Sequence, residues 1–276
     1  MTPLAGHTDR TIHRIAHFGT FDVENYGDLL FPLLVERRLD GAANDTGLDI
    51  EVVHVSPVGG EPVWGDCVPT ISTEEAMTRP FDGVIVGGGH IIHGQACDVE
   101  PYVSAGDRRL FAYADLWLGS TLLADELGIP IVWNAPGVPG PFGAATSELA
   151  FWAASQADYL SVRDQRSCDF LERTGYRGEI AIGPDTALEV DLLWSPEELR
   201  NATKEAFSNR GHAPAERAIA IHMNSRYLRS GIREIASLLD DFCMKKGSTA
   251  ILMALGPCHE DDVLQRQVGR MMKTNP

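Results

Sequence analysis

From residue 14 onward, short apolar runs alternate with longer stretches whose apolar residues recur every three or four positions. That alternation marks a parallel α/β architecture, in which each buried strand is followed by a helix that returns the chain to the same end of the sheet. The apolar runs predict strands at Arg14–Gly19, Ile50–Val55, Asp82–Val86, Pro130–Trp133, Tyr159–Val162 and Glu179–Ile182. Leu29, Leu30, Leu33, Leu34 and Leu39 repeat at helical spacing after Asp28, with Pro32 expected in the first turn, where its missing N–H is tolerated. Phe111–Leu127 carries a longer stripe that includes Leu116, Trp117, Leu122 and Leu123. A third helix is expected from an N-cap at Asp164 to a stop near Gly175. The sum is a doubly wound sheet of about six strands.

After Asp185 the pattern changes. Ser195-Pro196-Glu197-Glu198 reads as a capping box with proline at the first helical position. This helix ends near Asn209, and the Gly, Pro and Ala content of 210–216 suggests a hinge. Beyond it, Ala218–Met223, Ile232–Lys246, Ala250–Leu255 and Asp261–Met272 read as strand, helix, strand and helix. Two strands are about half of a usual open sheet, so the second domain is expected to be partial.

Composition narrows the classes. The chain has 276 residues, 44% of them apolar and 22% charged, which fits a folded globular protein. Thirty-nine acidic residues against 23 Lys and Arg give a net charge of −16, which repels nucleic acid and anionic lipid. An anionic small molecule therefore needs a local basic pocket. Cys67, Cys97, Cys168, Cys243 and Cys258 contain no C-x-x-C pair and are expected as reduced thiols. No secretory h-region or transmembrane run is apparent, and a cytoplasmic location is expected.

Ligands of open α/β sheets bind beyond the carboxyl ends of the strands, which directs attention to four loops. Gly19–Asp28 contains Asn25, Gly27 and Asp28, either as anion-binding residues at a helix N-terminus or as turn and cap residues. Gly87, Gly88 and Gly89 are expected to leave backbone open to a phosphate, carboxylate or sugar, with His90 beside them; a tightly packed turn is the alternative. The spacing of His90 and His93 matches no zinc pattern, and no metal is expected. Arg163 stands at the mouth of the fifth strand, either as a bidentate anion ligand or paired internally, with Asp185 a candidate partner. His259, at the end of the last strand, is a candidate acid/base. Arg226 follows the Ala218–Met223 strand. The common dinucleotide, P-loop, nucleophile-elbow and zinc-protease motifs are missing.

In order, Phe18-Gly19-Thr20, Asn25-Tyr26-Gly27-Asp28, Asp82–Gly89, Ser161-Val162-Arg163-Asp164 and Gly183-Pro184-Asp185 resemble the polysaccharide pyruvyl transferase family. The resemblance implies two Rossmann-like domains in a glycosyltransferase-B-like arrangement with the site in the cleft between them. The first domain is expected at 14–190, a bridging helix and hinge at 191–216, and a partial second domain at 217–276. It also implies phosphoenolpyruvate as co-substrate, no cofactor, and a cell-surface or exopolysaccharide sugar as acceptor. On that reading Arg163 holds the donor's carboxylate or phosphate beside Gly87–Gly89, and Arg226 reaches the site from the second domain. Family members carry a G-x-R-x-H-like segment further along that domain; no Arg-x-His follows residue 213, so His259 is not matched to that histidine. A nucleotide-sugar glycosyltransferase and a truncated, inactive or purely binding member are the alternatives.

Overall fold

The computed structural model describes residues 11–62, 64–65, 67–209, 217–224, 228 and 231–274. The hinge expected at 210–216 and Arg226 lie outside the described residues. Contacts divide the chain into two units: one takes in the chain up to Val23 with Asp28–Leu193, the other Glu24–Gly27 with the chain from Trp194 on.

The first unit is built on seven parallel strands, one more than the apolar runs predict. They are β1 (Ile12–Phe18), β2 (Asp49–Ser56), β3 (Ile71–Ser72), β4 (Gly83–Gly87), β5 (Ile131–Asn134), β6 (Tyr159–Val162) and β7 (Ala181–Ile182), in the order β3-β2-β1-β4-β5-β6-β7. All neighbours pair in parallel. The extra strand, β3, is a two-residue edge pairing with β2, too short to give a periodic signal. The order reverses between β1 and β4, and in such sheets the crevice at that switch point is where ligands bind.

The helices of this unit are α1 (Tyr26–Thr46, from Asp28 on), the single-turn α2 (Thr73–Ala76), α3 (Ala112–Ala114), α4 (Ser120–Leu127), α5 (Ala144–Gln156) and α6 (Gln165–Glu172). Helix α1 begins before Asp28, so Pro32 lies in its interior rather than in the first turn. Pro32 cannot donate to the carbonyl of Asp28, four residues earlier, which loosens the helix at that point. The Phe111–Leu127 stripe is interrupted by a π-turn at Asp115–Gly119. Leu116, Trp117 and Leu123 are buried, whereas Leu122 points outward and is exposed. Asp164 caps α6 by accepting from the Ser167 N–H at 2.7 Å. Phe18, Val86, Trp133 and Val162, near the ends of successive strands, are fully buried with Leu116, Ala153 and Leu171 from the helices. Burial of each large apolar side chain contributes about 1.5–3 kcal/mol.

One buried polar group is unusual. His17 and His54 are partners across β1 and β2, with their Nδ1 atoms 3.2 Å apart. His54 Nε2 lies 3.0 Å from Glu36 Oε1. His54 thus stands between His17 and Glu36, with one ring nitrogen turned to each. Burial and the neighbouring His54 hold His17 well below the ordinary histidine range, so it stays uncharged.

In the second unit, α7 (Pro196–Asn209) starts with the expected capping box: Ser195 N–H donates to Glu198 Oε2 at 2.7 Å, and Glu198 N–H donates to Ser195 Oγ at 3.3 Å. Strands β8 (Ala218–His222) and β9 (Thr249–Met253) pair in parallel, with α8 (Ile232–Lys246) between them and α9 (Asp261–Met271) after them. Ala236, Cys243, Leu264 and Val268 form their core. The segment 24–27 joins this unit through Tyr26 N–H to Leu255 O, at 2.6 Å, and Cys258 N–H to Glu24 O, at 3.3 Å. The five cysteines form no disulfide. Among the described residues, no helix is long and apolar enough to cross a membrane.

Gly88 is the tightest point of the sheet end. Its φ is +82°, and a Cβ built there would lie 2.1 Å from the Phe31 ring of α1. Gly88→Ala should lower stability by about 2 kcal/mol or more, through both overpacking and a left-handed backbone. Gly140→Ala, where a Cβ meets open space, should stay within about 0.5 kcal/mol of the parent. Urea denaturation of the two variants checks this.

Candidate functional site

The loops that leave β1, β4, β5, β6 and β7 gather chemistry-bearing side chains at the carboxyl end of the seven-stranded sheet. After β4, Gly87 and Gly88 are buried, and only Gly89 is partly exposed. The expectation of open glycine backbone is therefore corrected: the chain's own atoms fill most of the space. A Cβ at Gly87 would lie 3.1 Å from Asn134 O, at Gly88 it would meet the Phe31 ring, and at Gly89 it would lie 3.3 Å from Asp28 Oδ1. The glycines let the first turns of α1 settle on the end of β4, which puts the Asp28 carboxyl over Gly89.

Asp28 accepts a hydrogen bond from Thr20 Oγ1 at 2.7 Å. Burial pushes its carboxyl up to about 7, with the negative charges of Asp22 and Asp185 adding to the effect and Thr20 and Arg163 opposing it. Asp22, in the loop after β1, behaves in the same way. Its Oδ1 accepts from the Tyr102 hydroxyl, its Oδ2 is buried without a partner, and burial raises it to about 6. Two carboxyls beside the switch point thus hold their protons above the ordinary carboxylate range, Asp22 up to about 6 and Asp28 up to about 7.

Arg163, after β6, donates from Nη1 to Asp185 Oδ2 at 2.9 Å and from Nη2 to His90 Nε2. The internal ion pair weighed for Arg163 is present. Of the five guanidinium N–H groups, two are committed in this way, leaving donors for an anion. Burial and the Arg163 charge lower His90 to about 4, so the ring is neutral and accepts at Nε2. His90 and Arg163 lie on Gly137, where a Cβ would come within 2.2 Å of His90 Cδ2 and 2.6 Å of Arg163 Nε. The β5 loop is pinned beside them: Gly137 N–H donates to Gly89 O at 2.8 Å, and Ala135 N–H to Ser161 Oγ at 2.9 Å. Ala135 holds φ +52°, a left-handed conformation that costs a non-glycine residue roughly 1–2 kcal/mol.

In the second unit, Asn25 Oδ1 accepts from Gly27 N–H at 3.1 Å, an Asx turn leading into α1. The run Asn25–Asp28 is therefore divided: Asn25 and Gly27 group with the second unit, Asp28 with the first. His259 ends a short 3₁₀ turn, with its N–H donating to Gly256 O at 2.8 Å. Among the described residues, no three His, Cys, Asp or Glu side chains gather as a metal site.

A family model described as polysaccharide pyruvyl transferase matches residues 25–257. The chain belongs to this family. No curated protein sequence matches it. Among solved structures it is similar to one titled a putative UDP-N-acetylglucosamine 2-epimerase from Listeria monocytogenes, at 13% identity and a TM-score of 0.47. That match covers 94% of this chain and 66% of the other, so this chain spans just under two thirds of that protein's length. A mutant of a DJ-1 superfamily protein from Salmonella typhimurium matches at 12% identity and a TM-score of 0.29, over 71% of this chain and 97% of that one. Both likenesses are too distant to inform the chemistry. In this pyruvyl transferase family member, Arg163, His90, Gly89 and Asp28 are brought together in the first unit. Asp185 joins them as the partner weighed for Arg163, and Asp22, Thr20 and Gly137 join without having been proposed as site residues from the sequence.

A carboxyl raised above its unfolded value binds its proton more tightly in the folded state. Its contribution to stability is present at acid pH and is lost as pH rises from about 4 through about 7. Asp28→Asn keeps the acceptor for Thr20 and removes that loss. We expect a melting temperature about 2–4 °C above the parent at pH 8, with the gap closing towards pH 5. Thermal melts across that range check it, and parallel curves for the two proteins would contradict it.

Proposed function

We propose that the chain transfers the pyruvyl group of phosphoenolpyruvate to two hydroxyls of a cell-surface or exopolysaccharide sugar, forming a ketal. The observation that carries this reading is the family match over residues 25–257; the first unit supplies residues suited to the chemistry. The reaction needs a proton for the methylene carbon of the enol, a cationic group for the donor's carboxylate or phosphate, and a route for phosphate to leave. Asp28, with its carboxyl near neutrality, is the proton donor. Protonation at C3 leaves C2 electrophilic, a sugar hydroxyl adds there, phosphate departs with the C2–O electron pair, and the second hydroxyl closes the ring.

Arg163 holds the donor. Asp185 and Asp164 flank its guanidinium at 2.9 and 3.9 Å, which fixes its direction while leaving N–H groups for the anion. The neutral His90 ring packs against it without adding a competing charge. Asn25 and Gly27 shape the entry to α1. His259, as an acid/base or acceptor contact, and Arg226, as a donor contact, remain proposals that rest on the sequence. Both units are taken as Rossmann-like within this reading.

Calorimetry of the whole chain tests the donor assignment. Phosphoenolpyruvate should bind and a nucleoside diphosphate should not, and Arg163→Ala should weaken phosphoenolpyruvate binding by about 10-fold or more, as expected for loss of a charge-assisted contact of about 1.5–3 kcal/mol. Unchanged donor affinity in Arg163→Ala would remove Arg163 from the site, and binding of nucleoside diphosphate alone would replace the reading with nucleotide-sugar glycosyl transfer.

A further inference from the structure

A second carboxyl shares the buried end of the first unit with Asp28. Asp22 lies on the loop after β1 that also carries Thr20, and it is only 5% exposed. Its Oδ1 accepts from the Tyr102 hydroxyl, while Oδ2 is buried without a partner. Tyr102, from the segment after β4, is itself fully buried. The loop is fastened on both sides of Asp22. Phe21 N–H donates to Ser56 Oγ at 3.1 Å, Ser56 Oγ donates to Gly19 O at 2.9 Å, and Cys67 Sγ approaches Val23 O at 3.8 Å. The place of the carboxyl is therefore set by β1, β2 and Tyr102 together, away from water. A buried carboxyl oxygen that no donor meets calls for a proton or a function.

Burial disfavours the charged form of both carboxyls, and their neighbours then separate them. On Asp22 the strongest opposing group is the Tyr102 phenol, with smaller help from its own N–H, the Ser56 hydroxyl and the Gly59 N–H, none of which bonds Oδ2. On Asp28 the Thr20 hydroxyl favours the charged form, the charges of Asp22 and Asp185 oppose it, and Arg163 offsets part of that opposition. A phenol is a more acidic hydroxyl than that of threonine and donates the stronger hydrogen bond to a carboxylate. Behind Tyr102, Cys97 Sγ lies 3.6 Å from the Tyr113 hydroxyl on α3, and burial keeps both phenols neutral. One charge on such a pair resists a second. The carboxyls therefore give up their protons in sequence, Asp22 at about 6 and Asp28 at about 7.

We propose that Asp22 is a positioning residue for proton donation: held by Tyr102, it takes the first negative charge of the pair and so keeps Asp28 in the acid form that the reaction consumes. This role rests on the pyruvyl-transfer reading, in which Asp28 is the proton donor. In that step the Asp28 O–H bond breaks, and its proton forms the new C–H bond at C3 of the donor. The charge left on Asp28 stands against the charge on Asp22, which favours return of a proton to Asp28 before the next turnover. Of the two hydroxyl protons released per ketal, one restores Asp28 and the other leaves with phosphate.

The test uses the full chain and has two arms. Carbon-13 NMR of aspartate-labelled protein, titrated with no substrate present, reads the two carboxyls directly. In Asp22→Asn the Asp28 titration, at about 7 in the parent, should move to lower pH. Tyr102→Phe deletes one hydroxyl from a buried ring, and there the two titrations should move in opposite directions, Asp22 to higher pH and Asp28 to lower. An Asp28 titration that stays in place in these variants would overturn the coupling whether or not the chain turns over phosphoenolpyruvate. The kinetic arm follows kcat for pyruvyl transfer against pH. The alkaline fall should begin at lower pH in Asp22→Asn, with a loss of about 3-fold or more against the parent at pH 8. A loss by the same factor at every pH is the mark of a residue that only supports the fold, and it would refute the role. If Asp22→Asn fails to fold, Tyr102→Phe decides the matter in both arms. If the titrations move as expected while phosphoenolpyruvate is not consumed, the coupled pair is upheld and the pyruvyl-transfer reading alone fails.

Discussion

The ring of Phe31 lies where any side chain at residue 88 would have to be, and much of the first unit's chemistry depends on that contact. Gly88, at φ +82°, lets α1 come down on the end of β4, and Gly89 then faces the Asp28 carboxyl. Thr20 from the β1 loop reaches the same carboxyl, and Gly137 N–H reaches back to Gly89 O. The loops of β1, β4 and β5 are in this way tied to one glycine turn at the point where the strand order reverses. Pro32, inside α1 and unable to donate to the Asp28 carbonyl, leaves that first turn room to adjust to the contact.

Charge is the second constraint. A chain of net charge −16 is a poor host for a trianionic donor, and Arg163 is already flanked by Asp164 and Asp185. The structure lessens the conflict by burying Asp22 and Asp28 so that their carboxyls hold protons up to about 6 and about 7. Each proton kept removes one negative charge from the neighbourhood of Arg163, at a Coulombic benefit that grows as water is excluded. His90 is held neutral by burial and by Arg163 itself. If Arg163 holds an anion as proposed, the site owes as much to suppressed negative charge as to the arginine.

Much of the fold was legible because it depends on period and punctuation. Tyr159–Val162 and Ile232–Lys246 carry their own pattern in sequence, Asp164 and Ser195 mark helix starts through the hydrogen bonds they are chemically fitted to accept, and the parallel alternation follows from the spacing. Strand β3 was not legible, because two residues at a sheet edge have no period. The meaning of Gly87–Gly89 was half legible: the need for missing side chains showed, but whether a ligand or Phe31 fills the space is a tertiary fact. Asp261 only opens a helix in the sequence pattern, and nothing local announces that the end of β8, 39 residues away, pairs it with His222. Arg163 and Asp185 were legible as a possible pair because both follow strands that end side by side.

We propose that this family member makes a pyruvate ketal from phosphoenolpyruvate. The most direct measurement is to incubate the chain with phosphoenolpyruvate and a panel of bacterial-type glycans, follow inorganic phosphate, and examine the glycan by mass spectrometry and NMR. One phosphate should be released per pyruvyl group gained, with the new ketal carbon bonded to two sugar oxygens. Phosphoenolpyruvate left intact while a nucleotide sugar is consumed and a glycosidic bond appears would contradict it.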